Sequence, residues 1–323
     1  MSHLERLCIA LLIIFLSLGA GYCTRRIFEK KGLNPEPLAT FRKRLQALAI
    51  FILLPVSAMF SLWGLPAPGL KLLWLPFLGL ASYLCNGLLA LVLARPLKLT
   101  KIQTGSFFCC GSFTNLGAVG SLVCLVFLGE NTIALVALYR LLEDIYYFGA
   151  AFPIARRFSP DAREGSSARK NVYLVVPIII AIALGTGMAL NFWGVPRPPI
   201  LGLSASGCMI LSTVFFLYAI GISLHLSKIG HYLKPGLAMC AIKFIASPLL
   251  ITGLAALLGV GLLEDGLALK TVLVLSAMPV AMTALVPPSL FDLDLHLANS
   301  CWIITTLGLF FILPALLFLL PLI

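Results

Sequence analysis

Charge is what this chain has least of. Only 11% of its residues are charged, with 12 acidic side chains against 23 basic ones, whereas about a quarter of a soluble globular chain is charged. Hydrophobic residues make up 60% and the mean hydropathy is +1.06, which suits lipid rather than water. A Gly/Ser-rich linker, a heptad array and a low-complexity tract are all missing, so one membrane domain is the economical reading. HExxH, GxSxG, Walker A and GxGxxG sequences are absent too. ATP drive and common hydrolase chemistry therefore have no support, and no enzyme is expected. The nine cysteines form no CxxC pair and no zinc-like spacing. They lie in or beside apolar runs and read as small packing residues, so no metal site and no cofactor are expected.

What the chain has in quantity is apolar runs. A membrane helix takes about 20 mostly apolar residues, and that ruler gives ten spans. The first five cover roughly 7–24, 46–63, 72–94, 104–128 and 133–155, and the second five roughly 171–193, 205–226, 236–258, 271–291 and 297–321. The first run, CIALLIIFLSLGAGYC, has the look of a signal peptide, but equally apolar runs follow it and an uncleaved first span is expected. RRFSPDAREGSSARK, about 156–170, separates the two sets as a central loop and divides the chain into halves 1–160 and 161–323.

The basic residues are distributed unevenly among the loops. One side of the membrane receives seventeen of them, in loops 24–45, 95–103, 156–170 and 227–235, whereas the other receives only Arg6, Lys71, Arg197 and Lys270. Cytoplasmic loops retain Lys and Arg. The expected protein is thus multi-pass in the cell (plasma or inner) membrane, with both termini outside the cytoplasm. The basic excess is a topology signal, and no nucleic acid is expected as a partner. Five spans per half is an odd number, so the second half enters the membrane upside down relative to the first, as in many secondary transporters. Aligning LASYLCN (80–86) with LAMCAIK (237–243) adds a weak echo, with Asn86 opposite Lys243.

Two spans are poor helices. The fourth contains GSFTNLGAVG, Gly111 to Gly120, where Ser112, Thr114 and Asn115 stand among Gly111, Gly117 and Gly120. Glycine inside a helix costs up to about 1 kcal/mol relative to alanine. The ninth contains LSAMPVAMTALVPP, Leu275 to Pro288, where Pro279 lacks an N–H and crowds the preceding turn. Backbone groups freed in hydrocarbon are tolerated only where protein or a watery cavity satisfies them. A matched pair of interrupted spans in two repeats is the best sequence pointer to a transporter site, and half-helix N-termini aimed there favour an anion. Close helix packing is the alternative use for such small residues.

GSFTNLGAVGSLVCLVFLGENTIALVALY resembles the fourth and fifth spans of auxin efflux carrier-type permeases, of the superfamily that includes bile acid–sodium symporters. AMPVAMTAL through Asp294 to WIITTLGLFFILP is similar to their last two spans, and ILLPVSAMF and YAIGISL to their second and seventh. The resemblance implies an all-α integral membrane fold of ten transmembrane helices. These form a 5+5 inverted repeat, divided into scaffold and transporter parts, with crossed, interrupted fourth and ninth helices around a small organic anion. By the same resemblance Asn115 is the polar residue of the first unwound segment and Pro279 marks the second. Ser121 stands where the family often has proline. The second crossing has no asparagine, leaving Ser276 and Thr283 as its polar candidates.

The intramembrane charges complete the reading. Arg140, Glu143 and Asp144 fall in the fifth span and Lys243 in the eighth, where a charge must face protein or water. Arg140 reaches Glu143 and Asp144 at i+3 and i+4 on one helical face, which suits a closed structural network. Alternatively, Glu143 or Asp144 carries a proton during transport while Lys243 attracts the anion. FDLDLHL (291–297) spaces Asp292, Asp294 and His296 by two. A helix cap at Asp294 is expected there rather than a metal. His225 and His231 border an inner loop and read as solvated.

The expected function is a secondary transporter that moves a small organic anion by alternating access. Asn115, Thr114 and Ser112 contact the solute or its coupling ion, and Gly111, Gly117 and Pro279 supply unwound backbone. The drive is membrane potential or a proton gradient, with Na+ held by backbone and hydroxyl oxygens as the other choice. A sodium-coupled bile acid-type symporter is the rival within transport. A membrane receptor that binds without passage is the rival of another class, with no signalling domain in these 323 residues. Small-residue faces such as Ser17 to Gly21 permit a homodimer without requiring one.

Overall fold

The computed structural model describes residues 3–64, 70–160, 170–223 and 229–322. Residues 161–169 of the expected central loop and His225 lie outside the described residues, as does the side chain of Asp144. The fold is all-helical, 85% helix. Among the described residues the only extended pairing is an isolated antiparallel bridge between Thr114 and Val280.

Among the described residues, six helices are long and apolar enough to cross a membrane: Glu5–Lys30, Glu36–Trp63, Trp74–Ala94, Pro199–Ile222, Gly230–Leu257 and Leu295–Leu322. Side chains such as Leu257 (87% exposed), Phe192 (87%) and Phe311 (80%) face outward. Apolar exposure on this scale marks a surface made for something other than water. Together these features describe a helical membrane protein.

The remaining expected passages are broken or shorter. The fourth is split into Lys101–Ser112, Leu116–Gly120 and Ser121–Leu128. The ninth is split into Leu267–Ser276, Met282–Leu285 and Val286–Leu290. The fifth, expected as one helix, breaks between Thr132–Tyr139 and Glu143–Tyr146. The sixth runs Lys170–Phe192, and its apolar described part is Ile182–Phe192.

Proline sets a second, subtler irregularity. Of the four π turns among the described residues, three, Ala49–Leu53, Tyr147–Ala151 and Ile242–Ala246, end two residues before a proline: Pro55, Pro153 and Pro248. A proline ring collides with the carbonyl four residues back and offers that carbonyl no N–H. Widening the turn ahead of it moves that carbonyl aside, so the helix continues instead of stopping.

The chain forms two compact units that interleave along the sequence. The first comprises Met1–Pro68, Gly117–Ala137 and Leu174–His225. Within it, helices His3–Lys30 and Pro199–Ser223 meet backbone to backbone at two glycines. A Cβ on Gly21 would overlap the carbonyl oxygen of Tyr218, and one on Gly221 would overlap that of Leu18. Part of the small-residue face expected to permit a dimer is therefore filled from within the chain: Ser17, Leu18 and Gly21 are buried, whereas Gly19 and Ala20 are exposed. Polar groups among these greasy helices find carbonyls. Ser57 Oγ donates to Ala205 O at 2.7 Å and Trp63 Nε1 to Val195 O at 2.7 Å. Arg197 donates to Phe60 O at 3.0 Å and pairs with Glu130 at 2.9 Å.

The second unit comprises Gly69–Leu116, Leu138–Tyr173 and Leu226–Ile323. Its polar staple is Asp294, which caps Leu295–Leu319 by accepting from Leu297 N at 2.9 Å. The same carboxylate accepts from Tyr232 Oη at 2.7 Å and Gln103 Nε2 at 3.3 Å. Cap and staple together account for Asp294 without a metal, and no metal-holding group of His, Cys, Asp or Glu occurs among the described residues.

Candidate functional site

The site is built where two helices of the second unit stop. Helix Lys101–Ser112 starts with a capping box, Thr100 with Gln103, and is fully buried from Gly105 onward. Gly111 lies against the carbonyl of Asn86 so closely that a Cβ would overlap it. The chain then turns extended at Phe113 (φ −97°, ψ 116°). Helix Leu267–Ser276 likewise stops at Ala277 (φ −94°, ψ 17°), and Ala281 is extended (φ −76°, ψ 151°).

The two unwound segments satisfy each other. Asn115 N donates to Pro279 O at 2.8 Å, and Ala281 N donates to Phe113 O at 3.1 Å, on either side of the Thr114–Val280 bridge. Pro279 contributes its carbonyl, the one hydrogen-bonding group it has. Two more freed N–H groups go to side chains. Thr114 N donates to Tyr147 Oη at 3.2 Å, and Val280 N donates to Thr305 Oγ1 at 3.2 Å. Two antiparallel backbone bonds and two hydroxyls thus meet part of the accounting that apolar surroundings demand.

Lys243 completes the break. Its side chain is 0% exposed. Its Nζ donates to Gly111 O at 2.6 Å, Thr114 Oγ1 at 2.7 Å and Phe113 O at 3.4 Å. Three oxygens match the three donors of an ammonium. Gly111 and Phe113 supply carbonyls at the C-terminal end of a helix, where the peptide dipoles favour a positive charge. Lys243 lies in the π turn Ile242–Ala246 ahead of Pro248. Among the described residues no carboxylate pairs with it.

Of the residues expected to bind solute, Gly111, Ser112, Thr114, Asn115 and Pro279 gather at this break and are buried. Their polar atoms are largely engaged within the protein: Ser112 Oγ shares a hydrogen with Tyr146 Oη at 3.1 Å. Ser276 Oγ returns to its own helix, donating to Leu273 O at 3.0 Å. Thr283 is exposed, and Gly117 is half-buried in the turn Leu116–Gly120. Arg140 Nε meets Glu143 Oε2 at 2.5 Å, with Glu143 buried and Arg140 about a quarter exposed. That pair spans the turn between Thr132–Tyr139 and Glu143–Tyr146, so Arg140 does not stand on the continuous helical face expected of it.

Sequence reasoning missed Tyr146, Tyr147 and Thr305. Tyr147 both receives Thr114 N and stacks on Phe113, ring centroids 4.0 Å apart. The signal existed: a hydroxyl inside an apolar run, in the paired YY of the fifth span and the TT of the tenth, needs a partner. No protein-family model matches the chain, and no curated protein matches it.

Proposed function

We propose that the protein is a secondary transporter, a permease similar to the auxin efflux carriers, that moves a small organic anion across the membrane by alternating access. The observation that carries the reading is the pair of helices stopped at Phe113–Asn115 and Ala277–Ala281 and laced together by backbone hydrogen bonds. Irregular backbone at membrane depth is tolerated only where protein or a watery cavity satisfies it, and carriers build their sites on discontinuous helices. An anion is the favoured cargo because Lys243 places an ammonium at the break, unaccompanied by a carboxylate among the described residues. Asn115 is the residue assigned to the solute.

The same reading includes ten passages in two five-helix halves, 1–160 and 161–323, of opposite orientation. What supports it is the composition of the units. Apart from Gly117–Ala137, the first unit takes the first two expected passages of each half, and the second unit takes most of the other three. A proton or the membrane potential is the assigned drive, with Glu143 as the titratable partner of Arg140.

Proteoliposomes test the proposal. Labelled dicarboxylates, aromatic acids and amino acids are screened for uptake under an imposed proton gradient or potential, with and without Na+. Concentrative uptake of an acid is expected without Na+. Uptake strictly requiring Na+ transfers the protein to the bile acid-type symporters, and specific binding with no uptake makes it a receptor. Lys243→Met is expected to lower anion uptake. Should it fold and transport at the wild-type rate, Lys243 has no part in attracting the solute.

A further inference from the structure

The setting of Lys243 poses a question that transport alone does not answer. Two carbonyl oxygens and one hydroxyl oxygen converge at 2.6, 3.4 and 2.7 Å on a point where a helix ends and the chain is unwound. Carbonyls at half-helix C-terminal ends and in unwound backbone are the groups with which carriers of this architecture hold a monovalent cation. Hard cations take oxygen ligands, and this cluster is wholly oxygen. The position is fully buried, so whatever neutralises the carbonyl dipoles there must come from the protein or be bound.

We propose that the ammonium of Lys243 is a resident cation filling a monovalent-cation site formed by Gly111 O, Phe113 O and Thr114 Oγ1, and that removing it opens that site to Na+. The tether matters physically. A free ion must be captured from solution, whereas an ammonium on helix Leu233–Ala241 and its following π turn is always at hand. The cation at the end of Lys101–Ser112 is therefore supplied by the chain itself here, and from solution in a chain that binds Na+. The cation site stands without the transport reading, since it is a statement about stability. If both hold, transport is independent of Na+ because the cation is already aboard.

Purified wild type, Lys243→Ala and Lys243→Met are melted in detergent in NaCl and in choline chloride of equal ionic strength. Lys243→Ala vacates the oxygens and leaves room, and Lys243→Met vacates them but fills the room with an apolar chain of similar length. A saturable rise of about 3 °C or more in Na+ is expected for Lys243→Ala alone, as for any ligand that binds only the folded state. Ammonium chloride is expected to do the same. A folded Lys243→Ala whose melting ignores Na+ and ammonium alike overturns the proposal. Wild type gives a second reading that needs no variant: a Na+-specific rise there shows a cation site the lysine has not filled, and that also overturns it. Neither readout involves flux, so failure to transport any acid leaves this result standing on its own.

Discussion

Thr114 does two things at once at the break: its N–H is held by Tyr147 and its hydroxyl by Lys243. Thr114→Val keeps the β-branched shape and the backbone bonds but removes the oxygen from a buried ammonium. A loss of about 1–2 kcal/mol is expected, read by reversible denaturant unfolding in detergent, with Thr114→Ser close to wild type. A Thr114→Val protein as stable as wild type removes the hydroxyl from the account. Arg140 and Glu143 call for a different logic, because removing one partner strands the other's charge. Arg140→Met leaves Glu143, with 7% of its side chain exposed, without its cation. A loss of about 3–5 kcal/mol is expected for the single variant, and the double variant with Glu143→Leu is expected to recover most of it. If the double variant is as damaged as the single one, the pair is not what holds this turn. The Lys243 bonds could not be read from the sequence. Lys243 stands out there as a charge that needs company, but its partners lie about 130 residues away. Only the packing of one helix on the end of another brings them within reach.

Helices break or bend here for reasons of unequal visibility. The stops at Phe113 and Ala277 were legible, because glycine, small polar residues and Pro279 cluster where an apolar run should be smooth. The interruption at Arg140–Leu142 was not: no proline or glycine marks it, and a periodic reading of RLLED gives a continuous face. The three π turns that precede a proline were legible in principle, since the offset is the same in each, but only once the structure shows that these prolines bend the helix without ending it. Glycines show the same inequality. Gly19 and Gly21 are two residues apart on one helix, and the sequence treats them alike. A Cβ on Gly19 meets nothing, whereas one on Gly21 runs into the backbone of Pro199–Ser223. Gly19→Ala is expected to be neutral or to gain up to about 1 kcal/mol. Gly21→Ala is expected to lose about 1–3 kcal/mol by forcing the helices apart. Equal effects in the two variants, measured by the same unfolding titration, would mean that the two helices do not touch at Gly21.

At the scale of the molecule the least expected feature is the partition of the chain. Neither unit is a continuous stretch: the chain leaves the second unit after Leu116, just past the stop at Phe113, and returns to it at Leu138. A reading by loops and charge divides the same chain at its centre, near residue 160. The two divisions answer different questions, packing in one case and orientation in the other. Only the second can be read from basic residues, because Lys and Arg report which side a loop is on and not what its helices touch. Orientation therefore carries the sharpest whole-molecule prediction. If each half makes five passages, Gly165 and Ile323 lie on opposite faces of the membrane, and the seventeen basic residues put Gly165 in the cytoplasm. Fluorescent protein fused at Gly165 in a bacterial host is expected to be bright. Alkaline phosphatase fused after Ile323 is expected to be active, because it matures only outside. Both reporters indicating the same face means an even number of passages between the two points. The second half then cannot make five passages, and the five-plus-five division of the chain fails.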